Sequence, residues 1–172
     1  MDSQTLKSAQ APLKQRYRED ASAGLVTLHA RGSIGDGVTC SVEAGQAMVK
    51  AGLHPATGGG AGGLAVNVCS GDMLLQALVA CAGVTLNAVA TSLGLEIRDA
   101  RLHAEGDLDF RGTLGVSKEA PVGFAAIRLT CEIDGDLSDE QVATLIKLTE
   151  RYCVVYQTLK VPPAFSVSAI RA

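Results

Sequence analysis

The sequence predicts an α+β domain in which mainly antiparallel strands surround one long, buried helix. Three observations indicate this class: a hairpin pattern near the N-terminus, a continuous apolar segment too long for a strand, and further strand patterns after it. The chain has 172 residues, of which 47% are hydrophobic, enough for one core. We therefore divide it into a polar N-terminal tail, residues 1–20, and a single domain, residues 21–172.

The first elements of the domain are predicted to be strands. Leu25 to Ala30 has a strand pattern, Gly35 to Gly37 provides a turn, and Val38 to Val42 returns as the partner strand. Ala47 to Ala51 is expected to add a third strand. The segment from His54 to Gly63 is rich in glycine, which loses much backbone entropy on ordering, so we expect a flexible connection.

The long apolar segment predicts the central helix. It runs from Asp72 to Leu93, and Gly94 supplies the C-terminal stop. Its apolar residues surround the whole circumference, so the helix is expected to be buried on all sides. A curved sheet with a second helix, or a second subunit, would have to cover it, and we expect a dimer.

The C-terminal half alternates strands and helices. Strands are predicted at Glu96 to Glu105, Phe124 to Ile133 and Phe165 to Ile170, and helices at Ser138 to Tyr152 and Val154 to Lys160. The first of these helices opens with a serine followed three residues later by a glutamine, which is typical of a capping box.

Composition excludes several classes of function. The net charge of −3 and the scattered basic residues argue against a nucleic-acid partner. The first ten residues do not resemble a signal peptide, and no segment has about 18 uninterrupted apolar residues, so we expect a soluble, cytoplasmic protein without a membrane partner. An odd number of cysteines, five, without close pairing indicates a reducing compartment.

No motif points to a cofactor or a metal. The glycines from Gly58 to Gly63 match G-x-G-x-x-G, but no buried strand precedes them and no helix opens directly after them. His29, His54 and His103 are isolated from one another, and the sequence contains no C-x-x-C or H-x-x-x-H motif. We expect no cofactor and no metal.

The cysteines are the residues best suited to chemistry. Cys40, Cys69 and Cys131 stand in strand-like or unpatterned segments and are interpreted as packing residues. Cys81 lies within the central helix, where a small buried hydrophobe is the simpler interpretation. Cys153 lies between two helices, and amide groups at the start of the second could stabilise its thiolate, so packing and chemistry remain equally open there.

Taken together, these segments resemble the OsmC/Ohr family of peroxide-detoxifying proteins, most of all its OsmC-like branch. The resemblance extends from about Leu25 to Ala172. The matching segments are Thr57 to Gly63, Ser70 to Cys81, Asp109 to Gly112, and Glu150 to Val155.

The resemblance implies a fold, a site and an activity. The family fold is an intertwined α+β dimer with its sites at the subunit interface. By resemblance, Cys81 is the peroxidatic thiol and Cys153 the resolving thiol. The implied function is reduction of organic hydroperoxides in oxidative-stress defence, at the expense of a dithiol reductant that the sequence does not identify. Formation of a disulfide would protect the oxidised thiol from further oxidation.

The chain departs from the family pattern at three points. Family members often begin the central helix with Pro and Glu, where this chain has Ser70, Gly71 and Asp72, so Asp72 is the candidate acid. They also use an arginine near the N-terminal hairpin, for which Arg31 is the nearest candidate. The proline that commonly follows the second cysteine is Val154 here.

Two other functions remain open on the sequence. In the first, the protein does not catalyse a reaction but binds a small hydrophobic ligand in an apolar dimer pocket, and both cysteines are packing residues. In the second, the cysteine pair exchanges disulfides with protein partners.

Overall fold

The fold is a four-stranded sheet packed on one long helix. The computed structural model describes residues 3–35, 39–42, 51–59, 68–169 and 171. The elements follow in chain order as α1 (Ser3–Glu19), β1 (Leu25–Gly35), β2 (Thr39–Val42), β3 (Ala51–Gly52), β4 (Val68–Cys69), α2 (Ser70–Leu93), β5 (Asp99–Asp109), α3 (Phe110–Thr113), β6 (Ala126–Asp134), α4 (Asp139–Tyr152) and α5 (Val154–Lys160).

The sheet has the strand order β2-β1-β5-β6, and every pairing in it is antiparallel. Alternate residues of β5, such as Leu102 and Ala104, are fully buried under α2, while the residues between them lie on the outer face. The predicted α+β class with mainly antiparallel strands is confirmed. The N-terminal hairpin is also present, although β1 is longer than predicted and residues 36–38 of its turn lie outside the described residues.

Helix α2 begins two residues before the predicted start and ends at Leu93, as predicted, with Gly94 in the left-handed conformation (φ 65°). Its sheet-facing side is fully buried, whereas Leu74 and Val84 on the other side are 38% and 36% exposed. The expectation that α2 is buried on all sides is therefore wrong for the single chain. By length and composition alone α2 could cross a membrane, with a mean hydropathy of 1.8, but here it is the core helix under the sheet.

The predicted helices of the C-terminal half are confirmed. The Ser138 hydroxyl accepts a hydrogen bond from the Gln141 N–H (3.3 Å), and the Gln141 side-chain oxygen accepts one from the Ser138 N–H (2.8 Å). This reciprocal capping box starts α4. Helix α5 has the predicted bounds.

The predicted last strand, Phe165 to Ile170, is wrong within the described residues. Residues 161–169 follow α5 without regular structure, and every one of them is exposed; Phe165 and Val167 are 82% and 99% exposed. A strand needs a neighbour for its backbone groups, and the described chain supplies none here. Ile170 itself lies outside the described residues.

The N-terminal segment, predicted as a polar tail, forms a helix. Tyr17 is 3% exposed, and its hydroxyl donates a hydrogen bond to the Ala56 carbonyl (2.8 Å). Leu13, one helical turn earlier, packs against the same core. The boundary between tail and domain at residue 20 stays a prediction.

The glycine-rich connection is ordered as far as the structure describes it. Pro55–Thr57 is a 3-10 helix, and the His54 Nδ1 caps it by accepting from the Ala56 N–H (3.0 Å). The expected flexibility is therefore wrong for residues 54–59, and residues 60–63 lie outside the described residues. Of the predicted strand from Ala47 to Ala51, only the last residue is described, in β3.

Candidate functional site

The fold brings Cys81 and Cys153 close together in the core. Cys81 lies near the middle of α2, and Cys153 lies between α4 and α5, both of which pack on α2. The two thiols are 72 residues apart in sequence and lie close enough that Cys81 raises the pKa of the Cys153 thiol. Such proximity is what a disulfide between them requires.

Cys153 is a buried thiol that caps a helix. It is 1% exposed, and its Sγ accepts a hydrogen bond from the Tyr156 N–H (3.4 Å) at the start of α5. Burial, together with a smaller effect of Cys81, raises the pKa of the Cys153 thiol to about 11, against the lowering effect of the α5 amides. The expected stabilisation of a thiolate by these amides is therefore outweighed, and Cys153 is protonated at neutral pH.

Cys81 occupies a different environment. It is half-buried and lies in line with Leu74, Ala77 and Val84 along α2, at the spacing of one helix face. Those three residues are exposed, so they form an apolar stripe that passes beside the thiol. The Cys81 carbonyl accepts a hydrogen bond from the Thr85 hydroxyl (2.8 Å). Cys81 is thus the member of the pair nearer to the surface.

A cavity of about 470 Å³ adjoins Cys153 between β6 and α4. Its walls are mainly apolar, and among its described lining residues Glu150 carries a negative charge and none a positive one. The lining residues are Ala82, Ile127, Leu129, Thr130, Cys131, Ile146, Thr149, Glu150, Cys153 and Tyr156. A second cavity of about 330 Å³ shares three of them, Ile127, Leu129 and Tyr156.

Asp72 does not reach Cys81 within one chain. It precedes Cys81 by nine residues on α2, which corresponds to about 13.5 Å along the axis and half a turn around it. Its charge instead acts on His54, where it opposes the effect of burial, which lowers the pKa of the imidazole. The predicted electrostatic role of Asp72 at the Cys81 thiol therefore has no geometric basis in the single chain.

Arg31 lies on β1, and its side chain is outside the described residues. The strand register places it opposite His103 of β5. That position belongs to the outer face of the sheet, because the neighbouring Leu102 and Ala104 face α2.

The remaining cysteines differ in what surrounds them. Cys131 is on the core face of β6, as the alternation predicted, and burial raises its pKa to about 11. Sequence reasoning missed that it lines the same cavity as Cys153, because no local signal shows that α4 covers this part of β6. Cys69 is half-buried at the N-cap of α2, and Cys40 is in β2 with its side chain outside the described residues. Within the described ranges, no three His, Cys, Asp or Glu side chains cluster as a metal site would need.

Comparison with known proteins identifies the fold. A family model described as OsmC-like protein matches residues 62–168. Among solved structures, an OsmC-like protein from Mycoplasma pneumoniae is similar at a TM-score of 0.55 and 17% identity, over 80% of this chain and 86% of that chain. An OsmC-like hydroperoxide resistance protein from Jannaschia sp. CCS1 is similar at a TM-score of 0.55 and 14% identity, over 83% of this chain and 91% of that chain. A search of curated proteins gave no match.

Proposed function

The chain belongs to the OsmC-like protein family, and we propose that it is a cysteine-based peroxidase that reduces organic hydroperoxides in oxidative-stress defence. The observation that carries the proposal is that the Cys81 thiol lies close enough to Cys153 to raise its pKa, although the two residues are distant in sequence. The two thiols also differ in exposure, since Cys81 is half-buried and Cys153 is buried.

The difference in environment assigns the roles in this proposal. Cys153 has a pKa of about 11, so it is not ionised at neutral pH and does not attack a peroxide. Cys81, nearer to the surface, attacks the terminal peroxide oxygen as a thiolate. The O–O bond breaks, the alkoxide leaves as an alcohol after taking a proton, and Cys81 becomes a sulfenic acid.

Cys153 then resolves the sulfenic acid. Its sulfur attacks the Cys81 sulfur, the thiol proton leaves with the hydroxyl group as water, and a Cys81–Cys153 disulfide forms. Because the two thiols already lie close enough to influence each other, this step needs little rearrangement. A dithiol reductant returns both residues to thiols, and no cofactor takes part.

The surroundings of Cys81 favour an apolar peroxide. The exposed stripe of Leu74, Ala77 and Val84 offers a hydrocarbon surface beside the thiol, which favours an alkyl or aryl hydroperoxide over hydrogen peroxide. We also propose a homodimer in which a second copy forms the opposite wall of an apolar pocket along this stripe, because exposed apolar stripes on a core helix favour association, and that the peroxide enters this pocket. The free cysteines fit a cytoplasmic protein.

Peroxide consumption with mass analysis tests the proposal. Wild-type protein should consume cumene hydroperoxide in the presence of dithiothreitol and, without it, lose two hydrogens in intact mass. Cys81→Ser should abolish both, whereas Cys153→Ser should accumulate sulfenic and then sulfinic acid at Cys81. Cys69→Ser is the matched control and should behave as wild type.

Two outcomes would favour the alternatives. A wild-type protein that neither consumes the peroxide nor loses two hydrogens would be a binding protein with inert thiols. Disulfide formation that is faster with a disulfide donor than with the peroxide would indicate thiol–disulfide exchange.

A further inference from the structure

The cavity beside Cys153 gives access to one member of the cysteine pair only. Cys153 is among its lining residues and Cys81 is not. Ala82 and Cys153 are 0% and 1% exposed and form the floor, whereas Glu150 is exposed and lies at the mouth. A molecule that enters from the mouth therefore meets Cys153 first, and it must be slender, because little of Cys153 is open to bulk solvent.

The chemistry of disulfide exchange favours attack at the same sulfur. The attacked cysteine stays bonded to the incoming thiol, and the other cysteine leaves as a thiolate, so the better leaving group is expelled faster. With a pKa of about 11, Cys153 is a poor leaving group. Attack on the Cys81 sulfur would have to expel Cys153, the poorer leaving group. Attack on the Cys153 sulfur expels Cys81 instead.

We infer that this cavity admits the reductant, and that a slender, uncharged or cationic dithiol reduces the Cys81–Cys153 disulfide by attacking Cys153. The inference rests on the proposed function for the physiological relevance of that disulfide. One thiolate of the reductant bonds to the Cys153 sulfur as the Cys81–Cys153 bond breaks, and Cys81 leaves as a thiolate and takes a proton. The second thiol of the reductant then attacks the reductant sulfur that is bonded to Cys153. Cys153 is released as a thiol and the reductant departs as a cyclic disulfide, so the reductant loses two electrons and two protons.

Charge at the mouth defines the class of reductant. Glu150 lies at the entrance, and the described lining residues include no cation to balance it. A carboxylate on the incoming molecule is repelled there, and an amine is attracted. Thiols that carry a carboxylate should therefore reduce the disulfide more slowly than amine-bearing thiols at the same concentration of thiolate.

A trapping experiment identifies the attacked sulfur. The disulfide is formed with diamide, so that the test does not depend on peroxidase activity, and the oxidised protein is treated with 2-mercaptoethanol followed by iodoacetamide. Peptide masses should show mercaptoethanol on Cys153 and the alkyl group on Cys81. The opposite distribution would overturn the inference.

Variants of the cavity lining test the route. Ile146→Trp should slow reduction by dithiothreitol about ten-fold by narrowing the cavity. Lys147→Trp, at the next residue of α4, is exposed and not among the lining residues; it is the matched control and should reduce at the wild-type rate. Equal rates in the two variants and wild type would refute entry through this cavity.

A series of similar monothiols tests the charge. Rates for cysteamine and 3-mercaptopropionate, corrected for thiolate content at low ionic strength, should differ about five-fold in favour of cysteamine. Glu150→Gln should remove the difference and Glu150→Lys reverse it, whereas Glu132→Lys should preserve it. A wild-type ratio near one would overturn the charge assignment. If peroxide fails to form the disulfide but diamide succeeds, the proposed function fails while the reductant route is still decided.

Discussion

The alkylation rate of Cys153 is a direct measure of how far burial suppresses its ionisation. Burial raises the pKa of this thiol from an ordinary value of 9.0 to about 11. At pH 8 a thiol with the ordinary value is about one-tenth ionised and one with the raised value about one-thousandth, a difference of about 100-fold. Since only the thiolate reacts, iodoacetamide should label Cys153 at least about 100-fold more slowly than it labels the same cysteine in the unfolded chain.

The assay is labelling of the reduced native protein, with quantification of the Cys153 peptide by mass spectrometry. The rate should rise about ten-fold for each pH unit from 8 to nearly 11, because the thiolate fraction does so well below its pKa. Steric protection, at 1% exposure, lowers every rate by a common factor and leaves this slope unchanged.

The slope therefore separates ionisation from access. A labelling rate that levels off by about pH 9 would show an ordinary pKa and refute the reasoning, even if the rate were low throughout. Cys69 supplies a half-buried reference within the same sample.

Four further predictions concern stability and assembly. Leu75→Ala should lower the free energy of unfolding in urea by about 3 kcal/mol, because the side chain is 0% exposed, whereas Leu74→Ala, on the exposed side of α2, should lower it by less than about 1 kcal/mol. Ser138→Ala should cost about 1 kcal/mol in the same assay by removing the capping box. As the pH rises from 9 to above 11, wild type should lose up to about 2.7 kcal/mol more free energy of unfolding than Cys131→Val. The Cys131 thiol has a pKa of about 11 in the folded chain and 9.0 in the unfolded chain, so the unfolded state ionises first. The stability that the neutral thiol contributes is therefore complete below pH 9 and is lost as the pH rises through about 11. Val84→Lys should convert the proposed dimer to a monomer in light scattering, and a wild type that is already monomeric would refute the proposed assembly.

The helices that carry the two cysteines could be predicted because their signals are local. Gly94 ends α2 in a left-handed conformation that glycine adopts without strain, and Ser138 with Gln141 starts α4 through hydrogen bonds within one turn. These interactions depend on neighbours in sequence, so the pattern of residue types was sufficient to place Cys81 within a helix and Cys153 at a junction.

Elements that depend on distant partners were predicted less well. Phe165 and Val167 alternate with polar residues as in a strand, but a strand forms only where another one accepts its hydrogen bonds, and the described chain offers none. Conversely, Leu13 and Tyr17 belong to a segment that is polar overall, and only the contact of Tyr17 with Ala56 shows why that segment is helical and packed.

The electrostatics of the site were beyond the sequence for the same reason. The sequence places Cys153 at the start of a helix, which favours a thiolate, but it does not show that the sulfur is buried, and burial is the larger effect. Asp72 and Arg31 were candidates by their positions in the chain. Helix geometry places Asp72 half a turn away from Cys81, and strand register places Arg31 opposite His103.

Burial of Cys153 has the same consequence in both halves of the proposed cycle. A thiol with a pKa of about 11 does not compete with Cys81 for the peroxide, so oxidation starts at the more accessible sulfur. In the disulfide, the same burial makes Cys153 the poorer leaving group, so reduction proceeds by attack on Cys153 and release of Cys81. Peroxide and reductant then approach different sulfurs from different surfaces, the apolar stripe of α2 and the cavity beside β6, and neither has to leave before the other can bind. A variant that lowers the Cys153 pKa without moving its sulfur should therefore weaken both the preference of the peroxide for Cys81 and the preference of the reductant for Cys153.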